Sequence, residues 1–251
     1  MAEIKDRIIV ALDVDTKKKA LDLFDLLAPH VGFFKIGLEL LNAVGIEIVK
    51  KISERGRVFL DGKFNDIPNT IRGACRAATR SGARMMNVHT MGGEEMMNAA
   101  AESVSQEAVT LGIERPVVLG VTILTSIDRK IMNEQLRIEG EVKEQVVHLA
   151  RLATHAGLDG VIASPLEIEP IRDAIPREML VVTPGVRPMW AEADDQKRIM
   201  EPGEAIRKGA SMIVIGRPVT DPPREIGTPA AAAILVTKEI EAALKQGEPN
   251  G

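Results

Sequence analysis

In the stretch FLDGKFNDIPNT, Asp61, Lys63 and Asp66 follow the apolar pair Phe59 and Leu60 within a few positions. Ionised groups at the end of a buried strand are expensive unless they are paired. Asp61 and Lys63 are two apart, so on an extended chain both side chains point to one face and must share one site. Lys35 closes another apolar run, FFKI, and can lie beside Asp61 if the two runs are neighbouring strands. The result would be an alternating Lys-Asp-Lys row in which each ion offsets the desolvation of the next. A carboxylate set between two ammonium groups at one strand end is a candidate functional cluster. A structural ion network would have the same spacing, because such networks also perturb pKa values. Asp66 adds a further carboxylate just past the strand, and Pro68 with Asn69 turns the chain into the next helix, which favours the site over the network.

A second constellation joins VTPGVRP to SMIVIGRP. Gly216 permits close backbone approach and Arg217 offers a charged fork where the last strand opens, an arrangement suited to an anion such as phosphate. Gly-Arg-Pro is also an ordinary turn, but Arg187 after a second glycine-containing strand end argues for an anion site. Between them, PMWAEADDQKRIMEP is a long connection carrying the only tryptophan, Trp190, and is read as a lid or as a mobile surface loop. His89 in NVHTMGG has no second His or Cys at metal-ligand spacing and is read as structural or supporting. Met85, Met86, Met91, Met96 and Met97 are read as core filler.

These residues need elements to position them. Apolar runs recur at Ile8 to Leu12, Phe33 to Ile36, Val58 to Leu60, Arg84 to Val88, Val117 to Leu124, Gly160 to Ala163, Leu180 to Val182 and Met212 to Ile215. Helical periodicity separates them, over Lys17 to Leu27, Leu38 to Ser53, Ile71 to Ser81, Glu94 to Thr110, Val142 to Ala156 and Gly203 to Lys208, with Ala230 to Leu244 closing the chain. Strand-helix alternation repeated this often predicts a single (β/α)8 TIM barrel with eight parallel strands. A doubly wound open sheet should carry a Gly-rich turn after the first strand, and ALDVDTKKKA contains no glycine. No linker divides the chain, so residues 1–251 are read as one domain with a flexible tail over 246–251. In a barrel the residues ending the strands converge on the carboxyl-terminal mouth. Here they are Asp13, Lys35, Asp61, Lys63, His89, Thr125, Ser164, Arg187 and Arg217.

Composition narrows the function classes. Aromatic residues make up 2% of the chain, with no tyrosine, and the formal net charge is −4. Few rings for stacking and no basic surplus argue against a nucleic-acid partner. Cys75 is the single cysteine, which excludes a disulfide framework and fits a reducing cytoplasm. No signal peptide or membrane-length apolar run is read.

Taken together, ALD near the start, FFKIG, D-x-K-x-x-D-I-P-N-T at Asp61 to Thr70, VTILTS, VTPGVRP, DDQKR and IGRP resemble the bacterial orotidine 5′-phosphate decarboxylases, in order and along nearly the whole chain. Related sugar-phosphate decarboxylases and synthases keep the D-x-K-x-x-D core but follow it with small residues and use a divalent metal; Ile67-Pro68-Asn69-Thr70 points away from them. The resemblance implies conversion of orotidine 5′-monophosphate to uridine 5′-monophosphate and carbon dioxide with no metal or other cofactor, in a homodimer with shared active sites. It makes Lys63 the proton donor, Asp61 the carboxylate beside the reacting carbon, and Lys35 the bridge from that carboxylate to the ribose. Asp66, Ile67 and Thr70 become residues lent to the neighbouring subunit. Asp13 becomes the ribose ligand, Thr125 the group at the pyrimidine edge, and Arg187, Gln196, Gly216 and Arg217 the phosphate grip. Gly62 and Asn65 stand where the bacterial pattern usually has Leu and His. A catalytically silent nucleotide-binding barrel is the alternative from another class, and the intact set Lys35, Asp61, Lys63 and Asp66 argues against it.

Overall fold

The computed structural model describes residues 3–191 and 200–247. The apolar runs form strands β1 (Ile8–Ala11), β2 (Phe33–Ile36), β3 (Val58–Phe64), β4 (Met85–His89), β5 (Val117–Val121), β6 (Gly160–Ile162), β7 (Leu180–Thr183) and β8 (Met212–Ile215). Each pairs with the next, and β8 returns to β1, in a closed barrel whose pairings are all parallel. Alternation along each strand divides the apolar residues into two cores. Ile9, Phe33, Phe59, Met85, Leu119, Ile162, Val182 and Met212 fill the barrel interior, while their neighbours, such as Val10, Phe34 and Leu60, pack outward against helices. With Phe59 inside and Leu60 outside, Asp61 returns to the interior at the mouth.

The outer layer contains α1 (Lys17–Leu27), α2 (Leu38–Val44), α3 (Glu47–Ser53), α4 (Pro68–Arg80), α5 (Glu94–Leu111), α6 (Val142–His155), α7 (Ile168–Arg172), α8 (Pro202–Arg207), α9 (Arg217–Thr220) and α10 (Pro229–Gly247). Thr16 caps α1 by accepting from the Lys19 N–H, and Ala20, Phe24 and Leu27 set its buried stripe. Pro68 occupies the first turn of α4, where its missing N–H costs nothing.

The structure departs from the sequence reading at several boundaries. The continuous helix expected over Leu38 to Ser53 is two helices, because Gly45 takes φ 80° and ends α2. Strand β3, expected to stop at Leu60, runs to Phe64 through a register shift between Leu60 and Phe64. Strand β5 stops at Val121, short of Leu124; the Thr122 N–H and hydroxyl both still donate to Ile162 O, and the chain then turns over Leu124 to Ile127. A π-helical turn at Ile131–Gln135 and the short helices α7 and α9 were not read from the sequence. Helix α10 continues through Gln246 and Gly247, into the segment read as tail.

Candidate active site

The carboxyl-terminal ends of the strands enclose a cavity of about 440 Å³, a size suited to a small-molecule ligand. Asp13, Lys35, Asp61, Lys63 and Thr125 line it, and Arg187, Gly216 and Arg217 line it from the β7 and β8 ends. Apolar residues complete the lining, with Ala11, Phe59, Val121, Ile162 and Val214 of the barrel interior joined by Ile123, Leu124 and Pro218.

Asp61 is the centre of the charged row. Only 7% of it is exposed, and both oxygens are engaged. The Lys35 Nζ lies 3.2 Å from Asp61 Oδ2 and 3.0 Å from Asp13 Oδ1, while the Lys63 Nζ lies 2.7 Å from Asp61 Oδ1. Neighbouring strands β2 and β3 place Lys35 and Asp61 side by side, as the sequence implied. Burial pushes the Asp61 carboxyl up, but Lys35 and Lys63, with hydrogen bonds from Lys63 and Asn87, outweigh it and hold it below the usual carboxylate range. Burial likewise works against the Lys35 ammonium, yet Asp61 and Asp13 outweigh it and raise its pKa. Both shifts favour the charged forms, so Lys35 and Asp61 face each other as an ammonium and a carboxylate at neutral pH.

Asn87 was not singled out in the sequence and is central here. It is fully buried, donates from Nδ2 to Asp61 Oδ1 at 2.7 Å, and accepts the Lys63 backbone N–H at Oδ1, also at 2.7 Å. The signal was available: in MMNVH, residues 85, 87 and 89 share the inward face, and Asn87 is a polar residue at a core position. Glu39, near the start of α2, also lines the cavity and was not anticipated.

Other expected residues fall elsewhere. Asp66, Ile67 and Thr70 are exposed outside the cavity, with Ile67 67% exposed and Asp66 Oδ1 accepting the Ile67 N–H at 2.7 Å. The chain itself does not bring them to the Lys35, Asp61 and Lys63 row. Ser164 caps the turn before α7 by accepting from the Leu166 N–H, which is a structural role. His89 is partly buried; burial, then the Lys63 charge, lowers its pKa against the opposing pull of Asp61. Arg187 is 7% exposed and its backbone N–H donates to Met200 O at 2.9 Å. Val186 pairs with Met200 in an isolated bridge, so the two ends of the long connection after β7 are held together. Gln196 lies outside the described residues.

Among the described residues, no three His, Cys, Asp or Glu side chains are grouped so as to hold a metal ion. No helix among them is long and apolar enough to cross a membrane.

Comparison with known proteins adds an independent line. A relative from Moorella thermoacetica, named orotidine 5′-phosphate decarboxylase, is 51% identical over 94% of this chain and 93% of its own length. One of the same name from Syntrophomonas wolfei is 46% identical over 95% and 99%. Among solved structures, orotidine 5′-phosphate decarboxylase from Lactobacillus acidophilus superposes with a TM-score of 0.81 at 35% identity, covering 93% of this chain and 98% of that one. The sequence profile of one family matches residues 6–228, and by that match the chain belongs to the orotidine 5′-phosphate decarboxylase / HUMPS family.

Proposed function

We propose that the protein decarboxylates orotidine 5′-monophosphate to uridine 5′-monophosphate, the last step of de novo pyrimidine nucleotide synthesis. The observation that carries this reading is the row of Lys35, Asp61 and Lys63 at the cavity, with contacts of 3.2 and 2.7 Å. Support comes from the curated relatives of that name and from D-x-K-x-x-D-I-P-N-T in this chain.

The chemistry demands such a row. When the bond from C6 to the carboxylate breaks, the electron pair stays on C6, where no adjacent carbonyl delocalises it, and carbon dioxide leaves. An ammonium fixed beforehand at C6 favours the growing charge and then transfers its proton there. Lys63 fills that role, held by Asp61, and needs no cofactor to do so. Asp61, close to the substrate's own carboxylate, is relieved of repulsion as carbon dioxide departs. Lys35 and Asp13 hold the ribose, and Thr125 meets the pyrimidine edge. Arg187, Gly216, Arg217 and Gln196 bind the phosphate, whose binding energy assembles the site.

In this reading the enzyme is a single-domain, cytoplasmic homodimer, and Asp66, Ile67 and Thr70 enter the partner's cavity. Their exposure outside their own cavity supports the exchange. The family also contains metal-dependent sugar-phosphate enzymes by resemblance, and the engagement of both Asp61 oxygens by cations and Asn87 disfavours metal ligation there. The deciding experiment follows the loss of orotidine 5′-monophosphate absorbance with purified protein in excess chelator. Sustained turnover supports the proposal. Tight uridine 5′-monophosphate binding without turnover, or turnover of a hexulose phosphate restored by metal, overturns it.

A further inference from the structure

Gly37 follows β2 and serves as the N-cap of α2, accepting the Leu41 N–H at 3.0 Å on its carbonyl. Its backbone, at φ −93° and ψ −176°, is extended and open to any residue. Serine, threonine, aspartate or asparagine would ordinarily be preferred there, since each caps a helix through its side chain. Glycine at this position has no conformational cause. Space supplies one: a Cβ on Gly37 would stand 2.8 Å from the Lys35 Nζ, 3.3 Å from Asp13 Oδ1 and 3.9 Å from Asp61 Oδ2.

We infer that Gly37 is a positioning residue for the reaction, its missing side chain being what lets the Lys35 ammonium stand between Asp13 and Asp61. The inference rests on the decarboxylase reading for its kinetic consequences. A side chain at 37 meets the free end of a flexible lysine, so the backbone stays and the ammonium moves. Lys35 then gives up its contact with at least one carboxylate. Losing Lys35 from Asp61 removes the larger of the two opposing charges that hold the Asp61 carboxyl down. Gly45 provides the mirror case: nothing lies within 4 Å of a Cβ there, but its φ of 80° is strained for any side chain.

Gly37→Ala, Gly37→Ser and Gly45→Ala are to be compared with wild type by thermal unfolding, by the pH profile of kcat/KM for orotidine 5′-monophosphate, and by crystallography. Both Gly37 variants are expected to unfold near the wild-type temperature, to lose kcat/KM by about 10²-fold, and to show an acid limb moved to higher pH. Gly45→Ala is expected to unfold at lower temperature with unchanged kinetics. In crystals of Gly37→Ala, Nζ of Lys35 should be displaced from Asp13 or Asp61. An undisplaced Lys35, wild-type kinetics with an unmoved acid limb, or losses that only track a fall in thermal stability in both Gly37 variants would each overturn the inference. A wild-type enzyme inactive on orotidine 5′-monophosphate would remove the functional proposal, while the crystallographic displacement would still decide the role of Gly37.

Discussion

Lys63 meets Asp61 at 2.7 Å from a backbone that has left the strand region, with φ 46°. A non-glycine residue in that region carries strain of about 1–3 kcal/mol and persists only where its surroundings hold it. Asn87 does the holding. It accepts the Lys63 N–H while donating to the same Asp61 oxygen that receives the ammonium. One buried amide thus fixes both the backbone that carries the cation and the carboxylate that orients it.

Removing that amide should therefore disturb catalysis and stability together. Asn87→Ala leaves a partly buried N–H and a buried carboxylate oxygen each short of a partner, a loss of about 1–3 kcal/mol in denaturant unfolding. Turnover is expected to fall by about 10²-fold through misplacement of Lys63. Asn87→Asp keeps the shape but sets a second carboxylate against Asp61, so the Asp61 pKa rises and the acid limb of kcat/KM moves to higher pH. An Asn87→Ala enzyme with wild-type kcat and acid limb would reduce Asn87 to packing.

The Asp61 and Lys63 pair was legible because a strand has a period of two and a charge pair at that spacing must share a face. The same rule, followed one strand further, would have reached Asn87, but a neutral amide in an apolar run gives no charge to notice. The strained Lys63 backbone was not legible at all. It arises from the register shift before Phe64, and the ring of Phe64 lies where a Cβ on Gly62 would stand, 2.5 Å from its Cε1. Gly62, which departs from the bacterial pattern, thus makes room for Phe64. Barrel order was readable from alternation alone, whereas helix breaks depended on backbone choices such as Gly45.

Stability should depend on pH in a way that the buried groups set. His89 has a pKa lowered from its ordinary 6.5 by burial and the Lys63 charge. As pH falls below about 6.5, the unfolded chain takes up a proton that the folded chain refuses, so stability declines until the lowered folded pKa is passed. Asp61, also depressed, adds its loss only further down, from its ordinary 3.8 through the lowered folded value. Lys35 is raised, so its contribution is intact below its ordinary 10.5 and is lost as pH rises through the folded value. Denaturant unfolding between pH 8 and pH 5, values chosen to bracket about 6.5, should show a decline that His89→Gln flattens. An unchanged slope in the variant would remove His89 as its source.

Arg217 opens α9 beside Gly216, on the rim of the cavity. If it grips the phosphate, Arg217→Ala loses a charge-assisted bond of about 2–3 kcal/mol, or roughly 10²-fold in kcat/KM for the nucleotide. Orotidine, which lacks the phosphate, has no such bond to lose and should react with variant and wild type at similar rates. Equal losses on both substrates would place Arg217 elsewhere in the mechanism.

Whether Asp66 serves its own barrel or its partner's is decided by mixing two inactive proteins. Lys63→Ala removes the proposed proton donor and is expected to cut turnover by at least about 10⁴-fold in a folded protein; Asp66→Asn removes a charge that lies outside its own cavity. In a two-fold dimer the exchange is reciprocal, so a mixed dimer collects both lesions in one site and neither in the other. Random exchange at equal amounts makes about half the dimers mixed, each with one intact site of two, and activity should recover to roughly a quarter of wild type. Differently tagged protomers, captured in sequence, establish that mixed dimers have formed. Tagged mixed dimers without activity would place Asp66 in the service of its own barrel, and the exposed stretch from Asp66 to Thr70 would then need another explanation.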